Sequence, residues 1–570
     1  MDGNGIWTLR EKPTPGRVEE MARALGVRPL LASLLLARGM EGPEQAARFL
    51  RPSLSDLHDP FRMKDMDRAT ERIAAAVKRR ETIGLFGDFD VDGVSGAALL
   101  ARCLRREGVD PLVRLPRRLT EGYDLSAAAV EEFAAAGVSL LVTVDCGVTA
   151  IASLEEARRR GIDSVVSDHH EPKGTLPPAH AVVDPRRADC PYPEKDLAGV
   201  GIAWKLADAL ASGGIGLRDD LLLDLDLVAI GTIADVAPLT GENRYLVSEG
   251  LRVLAASQKP GLRALLEVSG FAYRDLDYAS IAFGLGPRLN AAGRLGDAAP
   301  ALELLTTDSR LRARELAVQL DRMNKERRAL DERMLEEALE KIGEEPEPGG
   351  IVVASREWHP GVIGIVASRL KETTGFPAVL IAVEDGIGRG SARSVPGFPL
   401  HEAFEACADL LLRHGGHAMA AGLTIEETKI AEFRARFRGL FEEKRRGLPP
   451  PATLELDAEI ALGDCGPDLL RDLERLEPFG PGNRRPIFLA RDVSVPEGYR
   501  PVGKNHLRFR AKTEGASLDA IAFQVGHAKA GEWGRHPRLD VAFTLEVDQW
   551  GGESRLRMNV KGVREASRDR

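Results

Sequence analysis

Cysteine is scarce: five residues in 570, Cys103, Cys146, Cys190, Cys407 and Cys465, with no CxxC pair. An odd, scattered set supports neither a disulfide framework nor a structural zinc site and predicts a reducing compartment. Long apolar runs are missing too. The longest near the start, Leu30 to Ala37, falls far short of the roughly 20 residues that a bilayer span needs. Met1 leads into Asp2, Arg10 and Glu11 with no signal-peptide pattern, so neither membrane insertion nor signal-directed secretion is expected, and the cytoplasm is the expected location. Aromatic residues are only 5%, and there is no internal repeat or low-complexity tract.

What is present is a globular composition, 44% apolar and 29% charged, in a chain long enough for three or four domains of about 150 residues. The net charge of −9 hides an asymmetry: residues 484–570 carry +6 and residues 1–483 carry −15. A basic tail behind an acidic body suits a polyanion held by the tail and cations held in the body, although clustered charge also serves as a plain solvated face.

From residue 82 to about 235, short apolar runs alternate with helical stretches, which predicts a parallel sheet covered on both faces. The runs are Thr82 to Phe86, Leu112 to Leu115, Ser139 to Val144, Ser164 to Val166 and Ala181 to Val183. Helices are predicted over Ser95 to Arg106, Ser126 to Ala136 and Ser153 to Arg160, each opened by a serine cap, with a further apolar helix over Leu221 to Ile230. Four runs lead directly into Asp88, Asp145, Asp168 and Asp184. Ligands of open α/β sheets bind at the carboxyl ends of the strands, so these four acids should converge on one crevice. Leu316, Leu320, Met323, Leu330, Met334 and Leu339 recur at helical spacing and predict one long connecting helix, Leu311 to Ile342, ending at the EEPEPGG segment. A second α/β pattern runs from Ile351 to about Phe441, and a second linker ends at Pro451. Beyond it, Leu539 to Val563 alternate as strands about Gly551-Gly552, which predicts a small β domain.

The segment GLFGDFDVDGVSG places Asp88, Asp90 and Asp92 on alternate positions of a strand-to-helix loop, with Gly87, Gly93 and Gly96 expected to permit tight turns. Three carboxylates this close repel unless cations neutralise them; by itself the string also fits a solvated acidic loop or a calcium loop. Asp145 emerges from a run too apolar to tolerate an uncompensated carboxylate, and SVVSDHHEP adds Asp168, His169 and His170. Adjacent histidines among several carboxylates suit Mn²⁺ or a similar ion better than Ca²⁺. Asp235, in GTIADVAPL, is one more acid.

In order and spacing, GDFDVDGVSG, VTVDCG, SDHH and GTIADVAPL resemble the successive motifs of the DHH phosphoesterase superfamily. GPRLNAAGRLGDA, WHPGVIGIVASRL, GSARSVPGF and GGHAMAAGL resemble the associated DHHA1 domain, and EPFGPGNRRPIF with GKNHLRF resembles the OB domain of the RecJ exonuclease family. The resemblance spans residues 70 to 565. It implies an α/β chain divided into a DHH domain with a parallel sheet (71–310), a connecting helix (311–345), a smaller α/β DHHA1 domain (350–445) and a β-barrel OB-fold domain (452–570), with no role for residues 1–70. Some family members carry a further C-terminal domain with partner contacts, which cannot be carried over to this chain.

The activity implied is hydrolysis of single-stranded DNA from the 5′ end, releasing mononucleotides in recombination and repair, with two divalent cations, Mn²⁺ or Mg²⁺, as cofactors. Asp145 would bridge them, Asp88 and Asp90 would serve one, and Asp92, His169 and Asp235 the other. Asp168 would orient a neighbouring histidine, and His170 would face the scissile phosphate. Gly415, Gly416 and His417, with Ser391 and Arg393, offer small residues, a hydroxyl and a guanidinium to phosphates. Arg118, Arg288 and Arg294 are further candidates, while Asn290 receives no role. Single-strand-binding protein and a RecQ-type helicase are implied as partners, and the nucleoid as the place of action. In the tail, Leu556, Met558 and Val560 alternate with Arg555, Arg557, Asn559 and Lys561, a strand expected to show a basic face beside a stacking Trp550. The rival readings are a DHH hydrolase of short oligonucleotides or cyclic dinucleotides, which would not need the tail, and a binding scaffold with an inactive core.

Overall fold

The computed structural model describes residues 6–118, 120–271, 276–343, 349–448, 453–503, 505–548 and 555–566. The chain condenses into two compact units, one of His58–Ala237 with Glu249–Pro449, the other of Met1–Leu57, Pro238–Ser248 and Pro450–Arg570. The stretch 1–70, which the sequence leaves without a role, is thus divided at residue 57. Its first strand, β1 (Trp7–Leu9), belongs to the second unit.

The first unit contains a five-stranded parallel sheet of β2 (Ile83–Gly87), β3 (Leu112–Arg114), β4 (Leu140–Val144), β5 (Asp163–Ser167) and β6 (Ala181–Val183), in the order β3-β2-β4-β5-β6. Every residue of β2 and β4 is buried, as expected for parallel strands covered on both faces. Gly87, Val144, Ser167 and Val183 are register partners across four strands. The next residue of each is Asp88, Asp145, Asp168 or Asp184, so register alone delivers four acids to one edge.

Two of the serine caps are misplaced. The helix Val91–Arg106 starts four residues before Ser95 because Asp90 caps it, Oδ1 accepting from the amides of Asp92 (3.0 Å) and Gly93 (3.3 Å). Ser153 lies inside the helix Ile151–Arg159 and donates to the Leu125 carbonyl. Ser126 does cap, accepting from Ala129 N–H at 3.2 Å. The apolar helix expected over Leu221 to Ile230 is two, Arg218–Leu223 and Leu225–Ala234, parted at Asp224, whose buried carboxylate pairs with Arg102, Arg106 and Lys259.

The helix Arg310–Gly343 leads to a second sheet, of β7 (Ile351–Ser355), β8 (Ala378–Glu384), β9 (Ile387–Arg393), β10 (Leu411–Gly416) and β11 (Ala420–Glu426), ordered β10-β11-β9-β8-β7. One face, with Val352, Val379, Ile381, Leu423 and Ile425, packs on Phe433, Phe437 and Phe441 of the helix Ile430–Arg445. At its β7–β8 half the other face packs Val353, Leu380 and Ala382 against Met334 and Ala338 of the connecting helix. Over β9, β11 and β10 that same face is polar.

In the second unit lie β12 (Leu454–Leu456), which pairs in parallel with β1, and a seven-stranded sheet of β13 (Ala458–Glu459), β14 (Phe488–Val493), β15 (Tyr499–Val502), β16 (His506–Thr513), β17 (Ala516–Ala522), β18 (Leu539–Asp548) and β19 (Arg555–Glu565). Its order is β13-β14-β18-β19-β17-β16-β15, and a bridge from Ser494 to Lys512 joins the end of β14 to β16. That bridge closes β14, β18, β19, β17 and β16 into the five-stranded barrel expected of an OB fold. Met21, Leu31, Leu34, Leu35 and Met40 share one core with Leu469, Phe488, Phe509 and Phe543. Leu35→Ala, which removes a fully buried side chain there, should cost this unit about 2–5 kcal/mol. Slow hydrogen exchange at β18 amides should accelerate; unchanged protection would dissociate residues 6–57 from the barrel core.

The exposed basic face expected on β19 is partly offset by acids of β18. Arg557 pairs with Asp548 (2.8 Å), Asn559 donates to Glu546 (2.6 Å), and burial draws Lys561 below its usual pKa. Trp550 and the Gly551-Gly552 turn lie outside the described residues.

Candidate active site

Each functional side chain is delivered by an element end. Asp88 follows β2 and its N–H donates to the Val144 carbonyl (3.2 Å). Asp92, in the first turn of the helix Val91–Arg106, accepts from the Gly199 and Val200 amides at 2.7 and 2.8 Å, the opening turn of the helix Gly199–Ser212. Asp145 follows β4 with φ +64°, and Asp235 ends the helix Leu225–Ala234 just before Val236 at φ +62°. Left-handed backbone is costly for a β-branched residue, and such strain concentrates at functional sites. Gly87, Gly93 and Gly96 do not adopt positive φ, contrary to the tight turns expected. They are needed for space: a Cβ on Gly93 would lie 2.5 Å from the Asp88 nitrogen.

Three ligand groups result, each with its oxygen or nitrogen atoms within 4.8 Å of one another: Asp88, Asp90 and Asp145; Asp92, His169 and Asp235; Asp145, His169 and His170. Asp145 Oδ1 lies 3.0 Å from His169 Nε2. Burial, then the neighbouring acids, raise Asp88, Asp92 and Asp145 well above the usual carboxylate range. Asp235 is pushed up to about 7 by burial and Asp90. Among the described residues no Lys or Arg forms an ion pair with these acids, and both Asp88 oxygens are buried without a hydrogen-bond partner. Burial and the adjacent His170 push His169 down to about 4, leaving a neutral imidazole with a lone pair. Crowded, uncompensated carboxylates with one neutral imidazole fit divalent cations of the Mn²⁺ or Mg²⁺ type.

His170 differs from its neighbour. Burial opposes its charge, but Asp168 Oδ1, 2.8 Å from Nδ1, raises it to about 9. Asp168, although buried, is held below its usual range by His170 and by the Val148 amide. The other ring nitrogen, Nε2, lies 3.4 Å from Tyr123 Oη. Asp184 reaches the same sheet edge but joins none of the three groups; it accepts from the Arg186 amide, and burial pushes it up to about 7.

Beside this centre opens a cleft of about 1190 Å³ lined by His170 and Tyr123 on one side and by Gly415, Gly416 and His417 on the other. Gly416 has φ +138°, and a Cβ there would sit 2.5 Å from Ala421 Cα. Arg393 donates to Ser391 Oγ at 3.2 Å, Arg118 stacks over Phe89 at 5.1 Å, and burial together with Arg118 and Arg327 pushes Arg294 down to about 10. Arg118, Arg294 and Arg393 feel one another's charge, so the structure brings these three together. Arg288 is placed elsewhere: it pairs with Asp321 on the connecting helix (2.9 Å) and donates to the Gly284 carbonyl.

Sequence reasoning missed the task of Asn290, whose Oδ1 accepts from Val91 N–H (3.2 Å) and so braces the acidic loop. Its partner is remote in the chain, and only its place inside the GPRLNAAGR motif could have signalled it. Tyr123 was also missed, although it lies five residues beyond Arg118 in the same segment.

The DHH family N-terminal domain matches residues 82–232, the DHHA1 domain 348–443 and the RecJ OB domain 456–562. The single-stranded-DNA-specific exonuclease RecJ of Dickeya dadantii is 37% identical over 98% of this chain and 99% of that protein. The chain belongs to the RecJ family. The RecJ of Bacillus subtilis is 35% identical over 97% of this chain and 70% of its own length. The crystal structure of RecJ in complex with Mn²⁺ from Thermus thermophilus superposes with a TM-score of 0.85 at 34% identity, covering 100% of this chain and 80% of that one. A Mg²⁺ complex of RecJ from the same organism gives 0.77 at 32% identity, over 99% and 79%. RecJ-type domain order, DHH then DHHA1 then OB, is therefore present here, together with residues suited to the same two metals. No helix among the described residues is long and apolar enough to cross a membrane.

Proposed function

We propose that this chain is a metal-dependent exonuclease that hydrolyses single-stranded DNA from its 5′ end and releases 5′-mononucleotides in recombination and repair. The observation that carries this reading is a set of ligand groups sharing Asp145 and His169, next to a cleft that the neighbouring Asp168 and His170 line. Asp88 and Asp90 would hold one divalent cation, Asp92, His169 and Asp235 the other, with Asp145 shared. Bound there, Mn²⁺ or Mg²⁺ would lower the pKa of attacking water and neutralise charge building on phosphorus.

The chain's own side chains do the positioning. Asp168 fixes the His170 ring through Nδ1, so that Nε2, beside Tyr123 Oη, would face the scissile phosphate. Arg118, Arg294, Arg393 and Ser391 hold the phosphate of the terminal nucleotide, and Gly415, Gly416 and His417 form the cleft wall across from His170 and Tyr123. Arg288 acts by tying its helix to Asp321. The barrel of the second unit tracks longer strands. Single-strand-binding protein and a RecQ-type helicase are the partners that would supply such strands, with the enzyme working in the cytoplasm on nucleoid DNA.

The test is digestion of 5′- and 3′-labelled single-stranded and duplex oligonucleotides with Mn²⁺. Early release of 5′-mononucleotide from single strands alone is expected; a duplex preference or release from the 3′ end would overturn the reading. Arg393→Ala and His417→Ala should each raise KM for a 5′-phosphorylated oligonucleotide about tenfold or more, the loss of a charge-assisted phosphate contact. Unchanged KM with the metals still bound would remove these residues from the terminal-nucleotide site.

A further inference from the structure

The polar half of the DHHA1 sheet extends past the residues assigned to the terminal nucleotide. Along β9, Arg393, Ser391 and Arg389 point to one face, since side chains alternate. Register carries each row across the sheet: Ser391 pairs with Gly422 and Gly422 with Gly415, while Arg389 pairs with Thr424 and Thr424 with Arg413. One step of about 6.8 Å along the strand therefore separates the Ser391 row from a row made of two arginines and a threonine.

Arg389, Arg413 and Thr424 all line the cleft that holds His170, and Lys173 lines it from the DHH side with the acids Glu171, Asp124 and Asp168, the last paired with His170 at 2.8 Å. Asp124 is already engaged by the Thr149 hydroxyl (2.6 Å) and the Leu125 amide. Among the described residues no carboxylate pairs with Arg413. The floor of the Ser391 row is low: a Cβ on Gly415 would meet nothing within 4 Å, and one on Gly422 only the Gly390 carbonyl at 3.7 Å. The one Phe, Tyr or Trp among the described lining residues is Tyr123, beside His170, so the arginine row offers charge without a stacking platform for a base.

We propose that Arg389 and Arg413, flanking Thr424, form a second phosphate subsite that takes the outer phosphates of a 5′-di- or triphosphorylated end. It rests on the reading that Ser391 and Arg393 hold the terminal phosphate: the β- and γ-phosphates continue from that group through P–O–P links, where another nucleotide would need room and stacking for a base. Guanidinium groups suit such a ligand because each can grip two phosphate oxygens.

The test compares oligothymidylate bearing a 5′-monophosphate with the same strand bearing a 5′-triphosphate, at constant free Mn²⁺. The wild-type KM is expected to be about fivefold or more lower for the triphosphate, a modest return for two charge-assisted contacts. In the Arg389→Gln/Arg413→Gln protein that ratio should fall to near unity, and Arg389→Lys/Arg413→Lys should restore part of it. Equal wild-type KM values, or a ratio that the glutamine variant keeps while circular dichroism shows it folded, would overturn the subsite alone. Failure of wild type to cut either strand would overturn the exonuclease reading and the subsite with it.

Discussion

Asp145→Asn is expected to leave a folded protein that hydrolyses single-stranded DNA about a thousandfold more slowly or worse, the upper end of what losing one preorganised charged group costs. Asparagine is the informative replacement because Asp145 sits at φ +64°, a conformation that Asn tolerates better than most residues. The carboxylate belongs to the group with Asp88 and Asp90 and lies 3.0 Å from His169 Nε2, a member of the other group, so its loss is expected to disturb both proposed cation positions. A second readout separates this from misfolding. A cation at a hundred times its Kd adds about 2.7 kcal/mol to stability, so Mn²⁺ should raise the wild-type melting temperature and raise that of the variant far less. Without metal the variant should melt no lower than wild type, since one of several mutually repelling buried acids is gone. Turnover within about tenfold of wild type would sink the shared-carboxylate assignment.

Gly199→Ala is the second large effect, and it replaces no side chain of the centre. A Cβ at residue 199 would lie 2.6 Å from both Cβ and Oδ1 of Asp145, while the Gly199 amide holds Asp92 Oδ2 at 2.7 Å. The helix start and the carboxylate cannot both stay in place. A displacement of about 1 Å at a reacting centre costs on the order of a hundredfold, so kcat should fall by roughly that factor while the helix Gly199–Ser212 persists. Alanine at a helix start is otherwise benign, so circular dichroism should be unchanged. Wild-type kcat, or equal Mn²⁺ affinity by titration, would show that Asp145 does not need this gap.

Much of the site was legible in the sequence because its signals are local. Each apolar run of the parallel sheet carries its own strand propensity, and an acid stands directly behind it. Equal strand ends then force Asp88, Asp145, Asp168 and Asp184 to one edge whatever the helices do. The long helix was legible for the same reason, its periodicity being written in consecutive residues. The division of ligands between the two ion positions came from motif resemblance; Asp88, Asp90 and Asp145 do form one geometric group and Asp92, His169 and Asp235 another, but Asp145 is grouped with His169 and His170 rather than with Asp92 and Asp235.

Only the tertiary structure decided which of these groups stay free for chemistry, because that depends on partners far away in the chain. Asp184 turns back onto its own loop, Arg288 is taken up by Asp321, and Asn290 braces Val91, none of which spacing can reveal. Charge balance was equally hidden. The β19 strand reads as basic by itself, yet register with β18 sets Glu546 and Asp548 against its cations. Residues 6–57 lacked any motif, and their role appeared only as Leu31 and Leu35 entered the core of the barrel. Periodicity and capping act over a few residues and can be read directly. Pairing of charges and sharing of a core are settled by which surfaces meet when the chain closes.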